Sequence, residues 1–151
     1  MAAGTQPIFT ATPAIGQAIW LPATTANVKS DGVGTIGTDM LLLETSGANG
    51  TFFNKIRFSP AASVAATATT ASVIRVYIST QSSGATTNAN TALIGEIAAP
   101  AQTADQTTTA TNYLEFPLGF AVPTGYSVLF SMHHAAATNT SWKGVIFSGD
   151  Y

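Results

Sequence analysis

Val122-Pro123-Thr124-Gly125-Tyr126-Ser127-Val128-Leu129-Phe130-Ser131-Met132-His133-His134 decides how this chain folds. Pro123-Thr124-Gly125 has the chemistry of a tight turn. Proline presets φ, and glycine accepts the positive φ that other residues resist. Gly125→Val is therefore expected to disrupt folding. After the turn, Val128, Phe130 and Met132 alternate with Ser127, Leu129, Ser131 and His133. Successive side chains of a strand point to opposite faces, so this period of two predicts a strand with one face on a core.

The same period recurs in both directions along the chain. Phe52, Asn54, Ile56 and Phe58 share one face, with Phe53, Lys55, Arg57 and Ser59 opposite. Ile74, Val76 and Ile78 share a face, with Arg75, Tyr77 and Ser79 opposite. Leu114, Phe116 and Leu118 alternate with Tyr113, Glu115 and Pro117, which makes Phe116 a core candidate. The predicted strands are Ile8–Thr12, Ala18–Leu21, Met40–Thr45, Thr51–Ser59, Ser72–Thr80, Ala92–Ala98, Asn112–Leu118, Tyr126–His134 and Trp142–Ser148. Gly, Pro, Asn and Ser clusters separate them, among them the hairpin dipeptide Asn49-Gly50. The reading is an all-β protein: an antiparallel β-sandwich, jelly-roll-like, of about eight strands.

Two segments fit this pattern less well. Pro60–Ala71 reads as a long loop or strand extension, because Thr67, Thr69 and Thr70 oppose a helix there. Pro100–Thr111 reads as an edge segment or connector. Residues 1–25 carry no charge, three prolines and one tryptophan. They are assigned to an extended N-terminal arm, lying on this subunit or the next, with residues 26–151 as a single sandwich domain. A first strand followed by a loop is the plainer reading of the same stretch.

Composition bounds the function. Only 8% of the 151 residues are charged, against 46% apolar, with a net charge of −2. Ordinary domains carry about 25% charged residues. The surface must therefore be built of Thr, Ser, Ala, Asn and Gln, which suits a molecule packed against copies of itself or a scaffold. The five basic residues are Lys29, Lys55, Arg57, Arg75 and Lys143, and only Lys55 and Arg57 are close in sequence. A basic patch of the kind that binds nucleic acid is not expected. The absence of cysteine removes thiolate nucleophiles, thiolate metal sites and disulfides together. No apolar run of about 18 residues is present, so no membrane helix and no membrane partner are expected. The first residues lack a basic n-region, which points to cytoplasmic synthesis without a cleaved leader.

Candidate chemistry is thin. Gly32-Val33-Gly34-Thr35-Ile36-Gly37 matches G-x-G-x-x-G, but a polar turn precedes it and a strand-like Met40–Thr45 follows. Without a strand before and a helix after, it reads as a glycine loop and not as a dinucleotide site. His133 and His134 are adjacent on a predicted strand, which places them on opposite faces and keeps them off one ion. The carboxylates Asp31, Asp39, Glu44, Glu96, Asp105, Glu115 and Asp150 show no calcium-loop spacing. They read as solvated or salt-bridged strand residues, with no spacing that pairs Glu96 and Glu115 for acid–base work. The expectation is no catalytic, cofactor-binding or metal-binding residue, no cofactor and no enzyme.

A resemblance adds to this. Gly50–Phe58, Val73–Ser79, Ala92–Ile97, Leu114–Pro117 and the turn-strand Val122–Phe130 have a cadence similar to that of small jelly-roll virion proteins of tailed bacteriophages, particularly capsid decoration (cement) proteins. It spans roughly residues 40–151, and its most recognisable piece is the Pro–Gly turn entering an apolar strand. The resemblance implies a non-enzymatic protein of the virion, assembled in the host cytoplasm. Such a protein is a homo-oligomer, with a trimer favoured, and binds the major capsid protein or other virion proteins on the outside of a capsid. Its contacts would be apolar and hydrogen-bonded, and so weakly salt-dependent. The alternative is a tail- or fibre-associated adhesin that binds host glycan through an exposed aromatic.

Overall fold

The computed structural model describes residues 10–64, 67–104 and 113–151. Among these residues every regular element is a strand: β1 (Thr12–Trp20), β2 (Gly34–Ile36), β3 (Leu41–Thr45), β4 (Thr51–Ala62), β5 (Thr67–Ala68), β6 (Ser72–Ser79), β7 (Gly84–Thr86), β8 (Thr91–Ala99), β9 (Thr103–Ala104), β10 (Leu114–Val122), β11 (Ser127–Met132) and β12 (Thr140–Asp150). Eight of these build two four-stranded sheets, in the orders β1-β12-β4-β10 and β3-β11-β6-β8. The remaining four form two short ladders, β2 with β7 and β5 with β9. All ladders are antiparallel.

The pairing is nested about the middle of the chain. β1 pairs with β12, β3 with β11, β4 with β10 and β6 with β8. That is one long hairpin rolled over so that its strand pairs alternate between two sheets, the jelly-roll arrangement. Its consequence is local. Asn49-Gly50 and Pro123-Thr124-Gly125 do not close hairpins, because β3 and β4, like β10 and β11, lie in different sheets. They are corners where the chain crosses between sheets. Gly50 and Gly125 have φ of 96° and 90°.

Around Gly125 there is open space, with no atom near the position of an added Cβ. Substitution there meets backbone strain but no clash. Gly125→Val should therefore cost about 1–3 kcal/mol and lower the melting temperature without abolishing the fold, a milder outcome than the sequence alone suggests. Thermal melts followed by circular dichroism check this, and an unchanged melt would remove the strained turn.

Between the sheets lies one core. Trp20, Phe53, Ile56, Phe58, Trp142 and Ile146 meet Ile74, Val76, Val128, Phe130 and Met132, and all are buried. Val128, Phe130 and Met132 face inward as their alternation predicts. Phe116 lies on the inward face of β10 but is only partly buried, since β10 is an edge strand. Pro13 and Pro117 stand in the edge strands β1 and β10, where a missing N–H is tolerated.

Three expectations change. First, Thr12–Trp20, within the stretch assigned to an extended arm, lies on this subunit as a regular edge strand. It pairs with β12 along its whole length, from Thr12 opposite Asp150 to Trp20 opposite Trp142, and Trp20 is fully buried. The apolar alternation ending in tryptophan gives it a core to join. Residues 1–9, and with them the start of the Ile8–Thr12 strand, lie outside the described residues. Second, Phe53 and not Phe52 enters the core. The registers of β4 against both neighbours shift around Asn54: Phe147 opposes Lys55 while Ser148 opposes Phe53. The extra residue is a bulge, and it swaps the faces on its two sides. Third, beyond the eight strands of the two sheets, four short strands form among the described residues, in the β2–β7 and β5–β9 ladders. Pro60–Ala71 contributes the end of β4 and all of β5, and Thr103–Ala104 of the Pro100–Thr111 stretch pairs with β5.

Candidate interaction surface

The two sheets present unlike outer faces. That of β3-β11-β6-β8 is roofed by the chain itself. The connection from β1 to β3 folds across it together with β7. Met40, Tyr77 and Leu129 form a second, smaller core there, with Ile36 and Leu42 packed against it. Arg75, Tyr77 and Ser79, expected to face solvent, are consequently buried. Arg75 reaches Glu96 with Nε at 2.6 Å and donates from Nη1 to the Asn27 carbonyl at 3.0 Å. The Tyr77 hydroxyl lies 3.2 Å from both the Lys29 carbonyl and Ser131 Oγ, and burial pushes its pKa up. Asn27 ties the roof down, donating its backbone N–H to the Met132 carbonyl at 2.9 Å.

The glycine motif belongs to this roof. Gly32 and Gly37 have positive φ, and Gly34–Ile36 is the strand β2, paired with β7. A Cβ on Gly34 would meet Met40 Sδ at 2.8 Å, so this glycine lets the roof close on the small core. The helix that a pyrophosphate needs is not there, since β2 leads through a turn into β3.

His133 and His134 depart from expectation. β11 ends at Met132, and the backbone then bends, with His133 N–H bonded to the Val73 carbonyl and His134 N–H to Ser72 Oγ. The two rings meet edge to face, with centroids 4.7 Å apart, instead of lying on opposite faces. Among the described residues no group of three or more His, Cys, Asp and Glu is placed to share an ion. Glu96 and Glu115 are each engaged in ion pairs, Glu96 with Arg75 and Glu115 with Lys55 and Arg57.

One carboxyl stands apart. Ser148 Oγ lies 2.7 Å from both oxygens of Glu44 and 3.1 Å from the Ala14 carbonyl. Burial raises the Glu44 pKa, the Ser148 hydrogen bond opposes this, and the charge of Asp150 raises it further. The folded chain thus holds this proton more readily than the unfolded chain. Any stabilisation is complete below the ordinary Glu range and is lost as pH rises through the folded value. At neutral pH the ionised Glu44 is a cost. Glu44→Gln should raise the melting temperature at pH 7, with the gain fading below about pH 4. Melts across that range check it, and a variant less stable at pH 7 would contradict the sign.

The outer face of β1-β12-β4-β10 has no such roof among the described residues. Its rows run across all four strands: Ile15, Phe147, Lys55 and Pro117; then Gln17, Val145, Arg57 and Glu115. Ile19, Lys143 and Ser59 form the next. Ile15 is 68% exposed and Tyr113 is 56% exposed. One Glu115 oxygen accepts from Lys55 Nζ at 2.9 Å and Arg57 Nη2 at 2.8 Å. These bonds, that from Lys55 first, hold the Glu115 carboxyl below its usual range. The Arg57 guanidinium lies 4.1 Å from the centre of the Tyr113 ring. Lys55 and Arg57 were legible as outward residues, but their union with Glu115, Tyr113 and Phe147 needed the strand order.

Two shallow depressions mark the ends of the sandwich. One, of about 290 Å³, is lined by Leu21, Pro22, Ser63, Asn139, Thr140 and Ser141. The other, of about 230 Å³, lies between the ends of β6 and β8 beside Tyr126. Its polar groups bond to one another: Asn90 Oδ1 accepts from Thr87 N–H and Thr91 Oγ1, and Ser79 Oγ lies 2.7 Å from Thr91 Oγ1.

No family model and no curated protein matches this chain. Among solved structures it is similar to a chain of the cyanophage Pam1 capsid asymmetric unit, at 12% identity and a TM-score of 0.42, covering 100% of this chain and 93% of that one. It is also similar to the SPBc2 prophage-derived protein YomS, at 11% identity and a TM-score of 0.36, covering 93% and 99%. A third is a chain of an infectious bursal disease virus subviral particle, at 12% identity and a TM-score of 0.32, covering 100% of this chain and 37% of that one.

Proposed function

We propose that this chain is a non-enzymatic structural protein of a virion, and specifically a decoration protein that binds the outside of a phage capsid and strengthens it. The observation that carries the reading is the pairing of a jelly-roll sandwich with a chain of which only 8% of residues are charged. The phage-like cadence of Gly50–Phe58 and Val122–Phe130 supports it, because those segments form β4 and the corner into β11.

The chemistry supports the non-enzymatic part. The strongly engaged polar groups close on one another: Arg75 with Glu96, Glu115 with Lys55 and Arg57, Ser79 with Thr91. An active site leaves a nucleophile or base facing a cleft. Edge strands β1 and β10 carry proline, which discourages indefinite edge-to-edge growth while leaving faces for assembly. A homo-oligomer, a trimer by the resemblance, is part of the proposal, as is the major capsid protein as partner. Nucleic acid and membrane are not.

The test is direct. Particles of the virus that encodes this chain are purified, and the chain is quantified by mass spectrometry. It should be present in capsid-scale copy number, and particles stripped of it should break at lower temperature until it is added back. A monomer absent from particles overturns the proposal, and a few copies at the tail tip would favour the glycan-binding adhesin.

A further inference from the structure

We propose that the outer face of the β1-β12-β4-β10 sheet docks onto a partner protein that presents carboxylates around an apolar patch. The inference rests on the virion reading above and names the surface and the chemistry of what it meets.

Three observations carry it. The first is which face is open. The chain covers the outer face of β3-β11-β6-β8 with its own β1–β3 connection, burying Tyr77 and Leu129 there. It leaves Ile15, Ile19 and Tyr113 of the opposite face 68%, 42% and 56% exposed. Isolated exposed apolar residues are ordinary, but these share one face with Val145 and Phe147.

The second is the distribution of charge. Among the described residues Lys55, Arg57 and Lys143 stand on this face against Glu115 alone, giving +2, while the whole chain is −2. Lys143 projects from β12 between the buried Trp142 and Gly144. Three of the five cations, and one of the six carboxylates among the described residues, therefore occupy one sheet face. Two copies meeting through this face about a two-fold axis would bring Lys55, Arg57 and Lys143 against their own images, and like charges across an interface are costly. An acidic counterpart is favoured by the same term. One carboxylate among three cations is too weak a field for a polyanion to be the natural ligand.

The third is preparation. Glu115 holds Lys55 and Arg57 in place, and Arg57 lies over the Tyr113 ring. Ordered Tyr and Arg side chains lose little freedom on binding and dominate interface energetics. The face measures roughly 20 Å by 30 Å from strand spacing and rise, close to the ~800 Å² that each partner contributes to a standard interface.

The experiment uses the three lysines as reporters. Purified particles and the free protein are labelled with an amine-reactive acetylating reagent, and the rate at each lysine is read by mass spectrometry. Lys55 and Lys143 should label severalfold more slowly in the particle, while Lys29, on the roofed side, changes little. A zero-length carboxylate–amine cross-linker should join Lys55 or Lys143 to Asp or Glu of a different polypeptide. Lys143→Glu should leave the melting temperature of the free protein unchanged and weaken binding to stripped particles roughly ten-fold. Equal labelling of Lys55 and Lys143 in both states, with the chain present in the particle, overturns this proposal and leaves the virion reading standing. Cross-links to the carboxylates of a second copy overturn the choice of partner. Protection that vanishes on nuclease treatment does the same, in favour of nucleic acid. Absence of the chain from particles overturns the virion reading and this proposal with it.

Discussion

Gly16→Ala should destabilise the protein by about 3 kcal/mol, a loss of roughly 6–12 °C in melting temperature for a domain of this size. Gly16 is in β1, at the edge of one sheet, where β1 crosses β3, the edge of the other. Packed sheets normally stand about 10 Å apart. Here the backbones touch: a Cβ on Gly16 would sit 2.1 Å from the Leu43 carbonyl oxygen, 2.9 Å from Glu44 Cβ and 2.9 Å from Ile146 Cγ2. The first of these is main chain, so no side-chain rotation relieves it. β1 must lift away from β3. As it lifts it draws Trp20 out of the core and strains the Ser148 contacts to Glu44 and Ala14. The measurement is a thermal or urea melt of the variant. An alanine tolerated without loss would show that β1 does not close this corner.

That corner was invisible in the sequence, and the reason is general for this fold. Alternation reports which residues share a face as long as a strand is regular. It placed Val128, Phe130 and Met132 correctly because β11 runs straight against β6 from Ser127 to Met132. It failed at Phe52 and Phe53 because one bulged residue, Asn54, inverts the phase, and nothing in Phe-Phe-Asn-Lys announces it. The first strand is ambiguous in the sequence for another reason. Thr12–Trp20 is uncharged and rich in small residues, which fits an arm as well as an edge strand, and only its partner β12 decides between them. Nor does a period of two tell how many faces are covered. Arg75, Tyr77 and Ser79 alternate as a solvent face should, yet the roof from Asn27 to Met40 covers Arg75 and Tyr77, and Ser79 is buried against Asn90 and Thr91. The candidate surface was half legible for the same reason. The cations of β4 and the exposed Tyr113 were apparent singly. Their assembly into one face follows from the pairing of β4 with both β10 and β12, which joins residues distant in the chain, Lys55 and Glu115 being 60 apart.

Phe130→Ala should cost about 3–5 kcal/mol, the range for deleting a buried aromatic ring. The ring is wholly buried. It lies 5.3 Å from the Phe58 ring and 5.9 Å from that of Trp20, both tilted against it, so it joins the second sheet to two strands of the first. Removing it leaves a void that two large neighbours cannot fill without leaving their own strands. The site offers a sharper test than the single variant. Gly144 faces the same space: a Cβ there would meet Phe58 Cε1 at 3.0 Å, Leu43 Cδ2 at 3.1 Å and Phe130 Cε1 at 3.3 Å. In the native core Gly144→Ala is overpacking, expected to cost about 1–3 kcal/mol. In the Phe130→Ala background the same methyl group enters a vacated volume, and Phe58 has room to yield. The double variant should therefore be more stable than the sum of the two losses predicts, with a coupling of about 1 kcal/mol or more. Strict additivity would mean that Gly144 and Phe130 do not share that space, and that the two sheets are not locked together where these rings meet.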